Sequence, residues 1–193
     1  MSVEHSARTV RGYSHLLLAR YVETSLPPEK SLVVRANLRA IWARLPTIKE
    51  DSQASFADWT AMIREIAGLE PTMEEGYQRV FEAGKFVANH ALSTALRLLV
   101  RFLRPSMFAR KVTDLWKRDH NFGSLVCTMD GDKKMIARLD EVDGYSFVSA
   151  VASGWVYMAL ETMGCKDITC KEVLHPPPAA QDAAAYQIEV RWS

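Results

Sequence analysis

Apolar residues recur every three or four positions through the first 120 residues, and then the period shortens to two. The first stripe predicts a helix over about 9–24, with Tyr13, Leu16, Leu17 and Tyr21 on one side. Pro27-Pro28 followed by Glu29 suits a helix start, because proline fits the first turn and an acid suits its positive end. A second helix carrying Val34, Leu38, Ile41, Trp42 and Leu45 should run to Pro46, and a polar link covers 46–54. Ser55 or Asp58 can cap a third helix that buries Trp59, Met62, Ile63 and Ile66 and stops near Gly68 and Pro71. Thr72 with Glu75 has capping-box spacing and opens a long helix over about 73–103. Gly84 within it marks the close approach of another element. Pro105 breaks this helix and starts another over about 106–119, with Phe108, Val112, Leu115 and Trp116 on its buried side.

From residue 121 the segments read as strands. Leu125–Met129 and Met135–Leu139 flank Asp130-Gly131, a dipeptide suited to a tight hairpin. A helix over about 145–163 follows and ends at Gly164. Ile168–Leu174 is a third strand. In the fourth, Tyr186, Ile188, Val190 and Trp192 alternate with polar residues, so one face is dry and one wet. Pro176-Pro177-Pro178 and an alanine-rich stretch form a long loop between them. The expected fold class is α+β: an N-terminal helical half (1–120), then β-β-α-β-β (121–193) forming a four-stranded antiparallel sheet with helices on one face. The 193 residues suit one domain.

Composition changes this picture little. The chain is 48% hydrophobic and 24% charged with net charge +1, an ordinary globular balance that offers no case for a nucleic-acid partner. The charge is uneven along the chain. Arg97, Arg101, Arg104, Arg110, Lys111, Lys117 and Arg118 are opposed in 97–118 only by Asp114, which suggests a solvated face or a docking surface for an acidic partner. Three irregularly spaced cysteines do not form a disulfide framework. With no secretory signal or membrane span legible, the expected location is cytoplasmic.

Candidate chemistry is sparse. Phosphate-binding glycine loops, a nucleophile elbow, Cys-x-x-Cys and His-x-x-x-His are all missing, so no catalytic residues are assigned and the chain reads as a non-enzyme. Cys170, Glu172 and His175 come nearest to a metal set, but zinc requires a fourth ligand position and no further protein ligand is evident. His90 lies mid-helix. His120 ends the basic helix, where a cation would suit the negative terminus. Trp116, Phe122, Cys127, Tyr145 and Trp155 are candidates to line an apolar pocket, with simple core packing as the alternative.

The segments GKFVANHALSTALRLLVRFLRPSMFARKVTDLWKRDHNFGSL (84–125), SGWVYMALETMGCKDITCKEV (153–173) and YQIEVRW (186–192) carry a resemblance. RGYSHLLLARYVE (11–23) fits its start. The pattern is similar to a domain family of unassigned function abundant in myxobacteria, whose layout resembles the 4-vinyl-reductase domain. That domain is related to TRAPP subunits and, more remotely, to haem nitric-oxide-binding domains. The resemblance implies binding or scaffolding, dimerisation through helices, and a metal held by late cysteines in some members. For haem it implies a helical histidine, with His90 as the carry-over. No cofactor is expected on the residues themselves, with haem or zinc as what the resemblance would add. The leading expectation is a signalling or scaffold domain acting as a homodimer through protein contacts. The alternative is a sensor for a small hydrophobic ligand or haem.

Overall fold

The computed structural model describes residues 8–91, 100–142, 146–174 and 185–193. The elements are β1 (Thr9–Arg11), α1 (Gly12–Ser25), α2 (Pro28–Asn37), α3 (Arg39–Arg44), β2 (Gln53–Ser55), α4 (Phe56–Ala67), α5 (Met73–Ala91), α6 (Pro105–Asp119), β3 (Ser124–Met129), β4 (Lys134–Asp140), α7 (Ser146–Thr162), β5 (Thr169–Leu174) and β6 (Tyr186–Arg191).

Local chemistry accounts for most boundaries. Ser55 Oγ accepts the Asp58 amide at 3.2 Å and so caps α4. Thr72 Oγ1 accepts the Glu75 amide at 3.2 Å and donates to the Glu75 carboxylate at 2.8 Å, which opens α5. Gly164, at φ 92°, ends the turn after α7 in the left-handed region that L side chains avoid.

Three boundaries depart from expectation. Thr9–Arg11 is not helical; it pairs antiparallel with Gln53–Ser55, and Val10 also bridges to His120. The Asn121 side chain fixes this strand by accepting the Thr9 amide at 2.7 Å. The second helix breaks at Leu38 (φ −106°, ψ 28°), whose side chain stays buried while the axis turns. The β3–β4 hairpin closes through residues 130–133, not a two-residue turn, and Asp130 N–H donates to Lys134 O at 2.9 Å. The long helix is described to Ala91, and 92–99 lie outside the described residues.

The four-stranded antiparallel sheet has the order β3-β4-β6-β5. Its inner face carries Leu125, Cys127, Met135, Ala137, Leu139, Tyr186, Ile188 and Val190, all buried. Its outer face carries ion pairs, among them Lys134–Glu189 at 3.0 Å and Arg191–Glu189 at 2.7 Å. The period-two reading of β6 therefore separates a dry face from a wet one as expected. Helix α6 lies against β3, α7 covers β5 and β6, and α5 packs along α7.

The α5–α7 contact is built on two glycines. A Cβ at Gly84 would fall 2.5 Å from the Val151 carbonyl oxygen, and a Cβ at Gly154 would strike the Phe81 carbonyl. Each clash is with backbone, which cannot rotate aside as a side chain can. Gly154→Ala should therefore destabilise the fold by about 3 kcal/mol, at the upper end of overpacking costs. Urea denaturation should show a lower midpoint with an unchanged slope.

Candidate functional site

A cavity of about 50 Å³ lies where the helical half meets α6, α7 and β3. Tyr13 and Ser14 of α1, Trp59 of α4 and Val87 of α5 form one side. The other side is Val112, Trp116 and Asp119 of α6, His120 just beyond it, Leu125 of β3, and Val151 and Trp155 of α7. The β1–β2 pair and the Val10–His120 bridge bring the start of α1, the cap of α4 and the end of α6 to one place.

Most polar atoms of this wall are already engaged. Trp59 Nε1 donates to Ser14 Oγ at 2.9 Å, and Trp116 Nε1 donates to the Phe122 carbonyl at 2.9 Å. Asp119 is buried at 5% exposure. Its carboxylate accepts Tyr13 O–H at 2.8 Å and two Arg118 N–H groups at 2.8 Å each, with Arg11 4.0 Å away. Burial, and then the Asp119 charge, hold the Tyr13 phenol well above its ordinary value of 10.

His120 is only partly engaged. Its ring stacks on Trp116 with centroids 3.9 Å apart and planes 13° apart, and it meets Trp59 and Phe122 edge to face. Nδ1 lies 3.2 Å from the Trp116 carbonyl oxygen. A carbonyl only accepts, so Nδ1 carries the proton, and in the neutral ring Nε2 presents a lone pair. Nε2 has no hydrogen-bond partner among the described residues. Desolvation lowers the His120 pKa from 6.5 to about 4, so the ring is neutral near pH 7. The expected cation at the helix terminus is therefore corrected: burial among aromatic rings outweighs the helix-end attraction.

Of the pocket candidates, the fold brings Trp116 and Trp155 to the cavity. Phe122 packs behind it, edge-on to Trp116 at 6.2 Å and 4.2 Å from Phe56. Cys127 is buried in the sheet core, where desolvation pushes its thiol up to about 12. Tyr145 lies outside the described residues. His90 is not in the cavity. It stacks on Phe86 at 4.0 Å with Nδ1 donating to the Phe86 carbonyl at 2.8 Å, and lines a separate open groove of about 370 Å³ with Arg11, Leu17 and Arg20. Tyr13 borders both spaces.

Arg101, Arg104, Arg110 and Lys111 are exposed, and Lys111 pairs loosely with Asp114 at 3.8 Å. Arg97 is outside the described residues. In the metal set, Cys170 Sγ lies 3.8 Å from the Ser153 carbonyl oxygen, Glu172 sits two residues on in β5, and His175 is outside the described residues. Among the described residues no three His, Cys, Asp or Glu groups are placed to hold a metal. Sequence reasoning missed Tyr13, Ser14 and Trp59 as cavity residues. The Trp116-x-x-x-His120 spacing, which stacks two rings one turn apart, was the available signal.

The architecture is that of an α+β domain with a cavity between a helical half and a sheet half. No family model and no curated protein matches the chain. Among solved structures it is similar to an H-NOX domain from Cs carrying 4-cyano-L-phenylalanine at site 5. That pair has 9% identity and TM-score 0.67, with 95% of this chain and 96% of that one covered. It is also similar to an oxygen-binding H-NOX domain related to soluble guanylate cyclases, in its oxygen complex (8% identity, TM-score 0.66, 95% of each chain). A third is an H-NOX protein from S. oneidensis in the Fe(II) ligation state (11%, TM-score 0.65, 95% and 96%). At such identities the shared property is the fold. The expected 4-vinyl-reductase and TRAPP likeness is thereby corrected: the architecture matches H-NOX domains. An apolar pattern of helices followed by β-β-α-β-β describes local elements and leaves their spatial arrangement open, which is why that likeness misled. No helix among the described residues is long and apolar enough to cross a membrane.

The lowered His120 pKa has a consequence for stability. The unfolded chain binds a proton near pH 6.5 that the folded chain refuses until about pH 4. The contribution of neutral His120 is thus fully present above 6.5, declines as pH falls from 6.5 to 4, and levels off below. Burial lowers His15 in the same direction. Subtracting the stability profile of His120→Gln from that of wild type should isolate a drop of about 3 kcal/mol across this window. A flat difference profile would remove the buried neutral imidazole from the account.

Proposed function

We propose that this chain is a small-molecule sensor domain of H-NOX architecture, whose ligand site is the interior cavity and which works without a resident haem. The observation that carries the reading is the apolar cavity itself, contributed by both halves of the fold and lined by the His120 ring. A ligand wedged between α1 and α4 on one side and α6 and α7 on the other bears on both halves at once, which suits a binding module better than a catalyst. The scaffold reading draws no support from the structural likenesses, and the exposed basic face of α6 remains a candidate surface for relaying the bound state to a protein partner.

Haem was tested against the residues present. His120 has suitable ligand chemistry: a neutral ring, Nδ1–H held by a carbonyl, and Nε2 open. The space beside it does not suit a tetrapyrrole. About 50 Å³ remains among the surrounding side chains. Among the described residues of the cavity wall the charged side chain is Asp119, an anion that would oppose haem carboxylates. The residues do not fit haem.

Native mass spectrometry of the protein purified from its own source, with an absorption spectrum of the same sample, tests this reading. The expected result is a retained small organic molecule, or binding of small apolar probes with a raised melting temperature, and no Soret band even after haem is supplied. A stoichiometric Soret band lost in a His120 variant would replace this proposal with a haem sensor.

A further inference from the structure

We propose that the cavity takes a small uncharged molecule bearing one hydrogen-bond donor, an alcohol or thiol of a few heavy atoms, which donates to Nε2 of His120. This rests on the reading that the cavity is the ligand site. Size sets the first limit. A water needs roughly 10–15 Å³ of such space, and an engineered cavity of about 150 Å³ admits benzene. The 50 Å³ here holds more than one water and less than an aromatic ring. The wall sets the second limit. Trp59 and Trp116 have spent their indole N–H groups on Ser14 and the Phe122 carbonyl, and Val87, Val112 and Val151 present only hydrocarbon. The ligand body is therefore apolar.

The tautomer sets the third limit, and it gives the site its direction. Because the Trp116 carbonyl takes the Nδ1 proton, Nε2 can only accept. An ether or ketone would set lone pair against lone pair. A carboxylate would add repulsion from Asp119, and an ammonium would lose hydration to meet a carboxylate already taken by Tyr13 and Arg118. A neutral O–H or S–H group satisfies Nε2 without a charge.

The test uses the full chain and three probes: xenon, isobutane and its near-isostere 2-propanol, each titrated by NMR with ¹⁵N detection of the histidine rings. Xenon and isobutane should occupy the cavity and leave the His120 Nε2 resonance in place. The alcohol should bind at least as well as the alkane and move that resonance. In His120→Phe the ring stack on Trp116 is kept and the acceptor is lost. Xenon should still bind, and the alkane should now be favoured by about tenfold or more, the cost of burying an unpaired hydroxyl. Xenon binding together with an Nε2 resonance that 2-propanol leaves unmoved, or with the same alcohol-to-alkane ratio in the variant, would overturn the donor rule and leave the cavity reading standing. Failure of all three probes to bind would overturn both. If the variant does not fold, the wild-type Nε2 shift alone decides.

Discussion

Two helix backbones touch where α5 crosses α7, and the rest of the molecule is arranged around that contact. Gly84 and Gly154 let carbonyl oxygens of Val151 and Phe81 lie where side chains would otherwise stand. Helix α5 also packs against α1 and α4, and α7 lies against β5 and β6. The crossing therefore clamps the helical half to the sheet half. The cavity sits beside this clamp, with Val87 one turn from Gly84 and Val151 and Trp155 flanking Gly154. A looser crossing would separate the two walls of the site.

The site shows how burial sorts polar groups. Asp119 is buried with its carboxylate satisfied by a phenol and a guanidinium, which supply three hydrogen bonds. His120 takes the other course and gives up its charge, with one carbonyl fixing where its remaining proton lies. The two are adjacent in sequence and opposite in character. One is bonded to Tyr13 beside the cavity, and the other lines it with a neutral ring. The fold shared with H-NOX domains is thus combined with a cavity that Trp59, Trp116 and Trp155 help to line.

Local signals in the chain were strong where one residue type has one physical use. The Ser55 cap, the Thr72–Glu75 box, the Gly164 stop, the alternating face of β6 and the close approach at Gly84 all appear in the structure for the reasons that made them legible. Signals were weak where the cause is distant. Thr9–Arg11 carries apolar spacing compatible with a helix and becomes a strand because residues 53–55 and Asn121 arrive to pair with it. Trp116 and Trp155 were named as either pocket or core, and spacing could not choose between them.

The amino-acid order by itself determined most of the elements, their caps and the α+β order, because those depend on dihedral preferences and on a periodicity that a few neighbouring residues set. Tertiary structure decided which arrangement the elements adopt, which tryptophans face a cavity, and that His120 is neutral with a free Nε2. Each of those follows from the burial and hydrogen bonds of residues far apart in the chain. His120 makes the point most sharply: at the end of a basic helix its local setting favours a cation, and only the aromatic rings folded around it make the proton too costly to hold.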